Sequence, residues 1–262
     1  AEALGAADEI AFARYFQLTD VVERGDWPTS EAAYQAYQAA PLKSHHQAAQ
    51  VAARVAREYA ALAIQQGQPA EERLAEAARL AALARDRRTQ ASIEDWRGED
   101  ALNSGMWAEA AASFSNALAA YRKINRPTAE VCCRLALVCA RQDYPATARE
   151  WLEQANVQPN TTDSNQRPAL ISAAEVYHAL GDVESCKAVL LPAYQWAWAD
   201  GPPHIRWWEL ERARKLIAAL GLDEAAIQQQ LGCTPFDPSK VEKIPYEDEI
   251  VAFIERLERK NE

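Results

Sequence analysis

Gly105-Met106-Trp107-Ala108-Glu109-Ala110, carried on by Phe114, Ala117, Leu118 and Tyr121, sets small and large residues at helical spacing just after a glycine turn. Residues three and four apart lie side by side on a helix. Ala110, Phe114 and Ala117 therefore share one face, in small, large, small order. The alanines let a neighbouring helix come close, and Phe114 fills the wider gap between them. Before the turn at Gly105, the segment from Ser92 to Asn103 also reads as a helix, with Gly98 open to close contact. The two segments make a helical hairpin.

The same order recurs downstream. Thr128 begins a helix with Cys132, Leu135, Ala136 and Cys139 on its inner face, Asp143-Tyr144-Pro145 turns the chain, and Ala148, Leu152 and Ala155 follow. After the polar stretch from Pro159 to Pro168, Leu170, Ala173, Ala174 and Tyr177 lead to Gly181-Asp182, then to Cys186, Leu190 and Ala193. Ala110, Ala148 and Cys186 stand at a step of 38 residues twice over. A period of this size means stacked helix pairs, each needing its neighbours to bury its face.

Gly98, Gly105, Trp107, Ala110, Phe114, Ala117 and Leu118 sit at spacings that resemble the tetratricopeptide repeat family. Glu94 and Arg97 depart from it, since the family prefers Trp and Leu there. The resemblance implies an all-α chain: a right-handed α-solenoid of about five tetratricopeptide-like hairpins with a helical C-terminal cap. Residues 1–200 would form the array, with repeats 91–124, 129–162 and 167–200 best phased, and 201–262 the cap.

Two less regular hairpins precede these. One pairs a helix from Asp8 to Arg24 with another from Ser30 to Ala40, across Gly25-Asp26-Trp27-Pro28. The next starts at a capping box, Ser44-His45-His46-Gln47, runs to about Gln65, and returns from Glu71 to Asp86. Arg85, Arg87 and Arg88 would then complement the dipole at that helix's C-terminus. After the repeats come a helix from Trp207 to Leu220, a short one from Asp223 to Leu231, an extended proline-bearing segment from Cys233 to Pro245, and a last helix from Glu247 to Lys260.

Composition narrows the function. Net charge is −10 over 262 residues, which argues against a nucleic-acid duplex as partner. No run of 18 apolar residues exists to span a membrane, and the acidic start is no signal peptide. The five cysteines, Cys132, Cys133, Cys139, Cys186 and Cys233, lack framework spacing and read as reduced, buried packers in a cytoplasmic protein rather than metal ligands. The chain opens at Ala1 and its one methionine is Met106. A piece of a longer protein with a partner domain N-terminal to it is the expectation.

No phosphate-binding loop, dinucleotide fingerprint, zinc-protease motif or nucleophile elbow occurs, and His45, His46, His178 and His204 are scattered. The expectation is no catalytic residue, no metal ligand and no cofactor: a non-enzymatic module binding a protein or peptide. The family's groove positions fall on Asp95, Glu99 and Asn103, on Arg141, on Glu175 and His178, and on Arg54 and Arg57 in the earlier hairpin. Arg206, Trp207 and Trp208 form an aromatic and basic cluster that could stack on a partner or glue the cap to Tyr194, Trp196 and Trp198. The segment from Trp196 to Leu210, with Pro235-Phe236-Asp237-Pro238, resembles the C-terminal tetratricopeptide-type sensor regions of large bacterial signal-transducing ATPases. That resemblance implies a sensor part of a multidomain signalling protein. A structural or self-association scaffold, or an enzyme with a site invisible in sequence, are the alternatives.

Overall fold

The computed structural model describes residues 2–25, 27–39, 41, 47–161, 163, 166–202, 204–237, 239, 252 and 256. Among these it forms twelve α-helices and no strand. In chain order they are α1 (Glu2–Arg24), α2 (Trp27–Ala39), α3 (Ala48–Gln65), α4 (Glu71–Leu83), α5 (Arg87–Asn103) and α6 (Trp107–Lys123), followed by α7 (Ala129–Arg141), α8 (Pro145–Ala155), α9 (Arg167–Ala179), α10 (Val183–Trp198), α11 (Trp207–Ala219) and α12 (Glu224–Leu231).

The quoted stretch holds the face that its spacing implies. Ala110, Phe114 and Ala117 are wholly buried on α6 and Leu118 nearly so. Phe114 lies over Gly98 of α5 so closely that a methyl group there would overlap three carbons of its ring. Ala148 and Cys186, one and two steps further on, are equally buried. Ala110→Leu should overfill this seam and lower stability by about 1–3 kcal/mol, whereas Glu109→Gln, exposed on the same turn, should leave it unchanged. Urea unfolding compares the two; equal midpoints would mean that the seam is not tightly packed.

The chain turns between paired helices in one recurring way. Gly67, Gly105, Asp143, Gly181 and Gly221 all have left-handed backbone. The next residue's amide returns to a carbonyl in the last helical turn, as in Met106 to Ala101 at 2.8 Å, Tyr144 to Cys139 at 2.9 Å and Asp182 to Tyr177 at 2.9 Å. This closes each helix with its orphan carbonyls satisfied. From Gly67 to Gly181 the turn repeats every 38 residues.

Pairing follows from these turns. α1 packs on α2, α3 on α4, α5 on α6, α7 on α8 and α9 on α10. Odd-numbered helices also pack on one another, α1 on α3, α3 on α5, α7 on α9 and α9 on α11, while α2, α4, α6 and α10 each rest on the odd helix that follows. Alanines and aliphatic residues from α5 to α12 merge into the largest apolar core, and smaller ones join α1 to α3 and α3 to α5. α11 also touches α1, bringing the first and the eleventh helix together. There Trp207 covers Gly25, whose absent side chain makes room for the ring.

Several boundaries differ from the sequence expectation. α1 extends back to Glu2, and α2 starts at Trp27 rather than Ser30, with Pro28 in its first turn where a missing N–H costs nothing. α5 begins at Arg87, five residues before Ser92, because Asp86 caps it: the Asp86 carboxylate accepts from the amides of Arg88 and Thr89, both at 3.1 Å. Arg87 and Arg88 thus open a helix instead of closing one, and α4 has no basic residue in its last turn. Ser44, His45 and His46 of the capping box lie outside the described residues, and α3 starts at Ala48. The helix expected from Glu247 to Lys260 also lies outside them, save Ala252 and Arg256, which are helical.

Candidate functional site

The odd-numbered helices carry charged residues into their mutual interfaces, where helices usually bury apolar ones. On α7, the run Val131-Cys132-Cys133-Arg134-Leu135-Ala136-Leu137-Val138 is buried throughout, Arg134 included. Its guanidinium reaches Asp95 on α5 at 2.7 Å, Glu130 one turn back at 2.8 Å and Glu99 on α5 at 3.3 Å, and it lies beside the Phe114 ring. Arg212, buried on α11, donates to Glu175 at 2.9 Å and to Ser172 at 3.0 Å on α9. On α3, Arg57 donates to Ser92 of α5 at 3.3 Å and pairs with its neighbour Glu58. Arg57, Asp95, Arg134, Ser172 and Arg212 follow at intervals near the 38-residue step, so one position on successive odd helices carries the ladder.

Beside this ladder opens a cavity of about 390 Å3. Its acidic wall is Glu23 of α1, Glu58 of α3, Asp95 of α5, Glu130 of α7 and Glu209 of α11. Its aromatic wall is Trp96, Tyr121, Trp196 and Trp208. Arg134 and Arg206 are the lining cations. Gln65 Oε1 and the Trp208 indole nitrogen, both buried, have no hydrogen-bond partner. A larger hollow of about 710 Å3 between α4, α5 and α6 is walled in good part by alanines such as Ala78, Ala82 and Ala119. It gathers far fewer ionisable groups, so chemistry and not size selects the central cavity.

One guanidinium facing three carboxylates leaves negative charge in excess. Burial, with Glu130 and Glu99 close by, outweighs the pull of Arg134 and pushes Asp95 up to about 6. Burial likewise raises Glu209, and burial with Asp95 nearby raises Tyr121 to about 12. Arg134, held by Asp95, Glu130 and Glu99 against its own desolvation, stays charged.

The Asp95 shift has a sign that can be tested. A carboxyl raised above its unfolded value near 3.9 adds stability at low pH that is lost as pH climbs through about 6. Asp95→Asn keeps an acceptor for Arg134 and removes this loss. Relative to the parent, the variant should gain on the order of 1–3 kcal/mol between pH 4 and pH 7, read from urea unfolding at each pH. A difference that stays constant with pH would mean that Asp95 ionises normally.

The residues chosen from sequence divide into three groups. Asp95, Arg206 and Trp208 line the cavity, and Arg57 and Glu99 stand behind it in the ladder. Glu175 is engaged by Arg212, and Arg54 by the helix-capping Asp86 at 3.3 Å. Asn103 and Arg141 are exposed in the last turns of α5 and α7, and His178 is half-buried at the end of α9; none of these lines the cavity. Trp207 faces Gly25 and not the cavity. The grip of α11 on α10 comes from Arg206, which donates to the Trp196 carbonyl at 2.9 Å and lies 4.7 Å from its ring centre. Trp198 turns to the Thr234 carbonyl and Tyr194 to Glu224.

Arg134, Glu130, Glu209, Trp96 and Trp196 were missed as site residues. Arg134 and Arg212 could have been found as lone charges within apolar helical faces, set at the repeat step from Asp95. No local pattern marks Glu23 or Glu209, which meet only through the contact of α1 with α11.

The cavity lining has no histidine, cysteine or lysine. Burial raises the thiols of Cys132, Cys133 and Cys186, the last to about 11, away from the reactive thiolate. All five cysteines are free. Among the described residues, no three of His, Cys, Asp and Glu stand close enough to hold a metal, and no helix is long and apolar enough to cross a membrane. No protein-family model, curated protein or solved structure matches the chain.

Proposed function

We propose that the chain is a right-handed α-solenoid of tetratricopeptide-like hairpins working as a non-enzymatic recognition module, with the central cavity as its binding site and a peptide segment of a partner as its ligand. The observation that carries this reading is the convergence of acidic and aromatic side chains from α1, α3, α5, α7, α10 and α11 on one hollow. A repeat array that only had to hold itself together would fill that position with apolar residues, since buried ion pairs add little net stability. At about 390 Å3 the hollow lies near the lower end of ligand pockets, roughly 300–1,000 Å3. It takes one or two side chains and not a whole helix. The likeness to sensor regions of signalling ATPases supports a place in a larger cytoplasmic signalling protein.

The scaffold reading rests on one specific observation, the contact of α11 with α1, by which the chain's own ends close the face that a partner would use. Selection from a random heptapeptide library on the immobilised full chain separates the two. Recognition predicts enriched sequences that bind the parent and are lost with Trp208→Ala, while its helical circular dichroism persists. No enrichment, or equal binding by Trp208→Ala, would favour the scaffold.

A further inference from the structure

The charges around the cavity also specify what enters it. Arg134 already spends its guanidinium on Asp95, Glu130 and Glu99, and Arg206 spends its own on the Trp196 carbonyl and ring. Arg134 is met by three carboxylates, although its Nε has no hydrogen-bond partner, and Arg206 has no carboxylate partner among the described residues. The five carboxylates that line the hollow still outnumber these two cations. On the other side, Glu209 and Glu23 have no ion-pair partner among the described residues, although both line the hollow. Gln65 Oε1 offers a buried acceptor without a donor, and the Trp208 indole a buried donor without an acceptor. Trp96 and Trp208 line the hollow with aromatic rings, which attract organic cations, as Arg212 at 5.8 Å from the Trp208 ring centre already shows.

Resting on the recognition reading above, we propose that the cavity binds the cationic head of a basic peptide side chain, with Glu209 and Glu23 as counter-charges and Trp96 and Trp208 as walls. A guanidinium or ammonium brings N–H donors for Gln65, and the carbonyl of the same peptide residue gives the Trp208 indole its acceptor. A free amine satisfies the first need and not the second. An incoming positive charge gives Glu209, whose carboxyl burial raises, the ion-pair partner it lacks among the described residues.

Calorimetric titration of the full chain with N-acetyl-arginine amide, its neutral isostere N-acetyl-citrulline amide, and agmatine tests the assignment, alongside the library selection. Arginine amide should bind at least about tenfold more tightly than citrulline amide. Glu209→Gln should weaken it by about tenfold, and Glu184→Gln, on exposed α10 surface, should leave it unchanged. Selected peptides should be rich in arginine or lysine. Peptides that bind without basic residues, or equal affinity for arginine and citrulline amides, would overturn the cation assignment and leave recognition standing. Agmatine binding as tightly as arginine amide, with no peptide selected, would overturn the peptide as source. Binding by none of the three probes, together with no enriched peptide, would overturn both readings.

Discussion

Arg134→Ala should lower the unfolding free energy by about 3–5 kcal/mol at neutral pH, a large part of the roughly 5–15 kcal/mol that holds an ordinary domain folded. The physical cause is not the loss of attraction alone. Arg134 is buried, and so is Glu99, with Asp95 nearly so. Removing the guanidinium leaves their carboxylates in a poorly solvated seam with no counter-ion. The measurement is urea unfolding followed by circular dichroism, and pH supplies the diagnostic. As pH falls through about 6 and Asp95 takes up its proton, the cost of Arg134→Ala should shrink, which a simple packing cavity would not do. Neutralising the site as a unit, by Arg134→Met with Asp95→Asn, Glu99→Gln and Glu130→Gln, should restore most of the stability. Those residues share one network, so their effects do not add. A cost that holds constant from pH 4 to pH 7 would show that the three carboxylates are not what Arg134 supports.

That expectation also explains what could be read in advance. Ala110, Phe114, Ala117 and Leu118 were legible because burial on a helix repeats every three or four residues, and a 38-residue step keeps these residues in phase. Helix starts were less legible. Asp86 stands at the junction of two helical patterns, and its role as cap depends on which amides it faces. The cavity was partly legible. Asp95 lies on the expected face, but the family's positions led on to Asn103, Arg141 and His178, whose ends of the helices do not reach the hollow. Arg134 hides in an apolar run, where charge looks like an interruption. Two of its three carboxylate partners sit on a different helix, 39 residues away in the case of Asp95.

The ladder and the hairpin repeat are one device. Each step of the chain sets a small, large, small face outward against its own partner helix and a polar position inward against the next odd helix. Phe114 belongs to both arrangements, since Gly98 packs on it and Arg134 lies 5.8 Å from its ring centre. A change in the hairpin seam therefore reaches the charged site through packed side chains. Ala110→Leu should weaken arginine amide binding as well as stability, and a loss of stability without a change in binding would show that the two are not coupled.

Gly25→Ala has the second-largest expected effect because two independent costs meet at one residue. Its backbone is left-handed, with φ near +71°, which disfavours any side chain by roughly 1–2 kcal/mol. A methyl group there would also overlap the Trp207 ring, and overpacking of that kind costs about 1–3 kcal/mol. Together the loss should be about 2–5 kcal/mol. The second part exists only if α11 really closes on α1. Trp207→Ala removes the ring, so the double variant Gly25→Ala with Trp207→Ala should lose less than the sum of the two single changes, by about 1–3 kcal/mol. The backbone cost alone should remain. Closure also brings Glu23 and Glu209 to one hollow, so Gly25→Ala should lose arginine amide binding even at temperatures where the helices stay folded. Additive single and double losses, with binding intact, would mean that the first and eleventh helices do not meet in solution and that the cavity lacks its last wall.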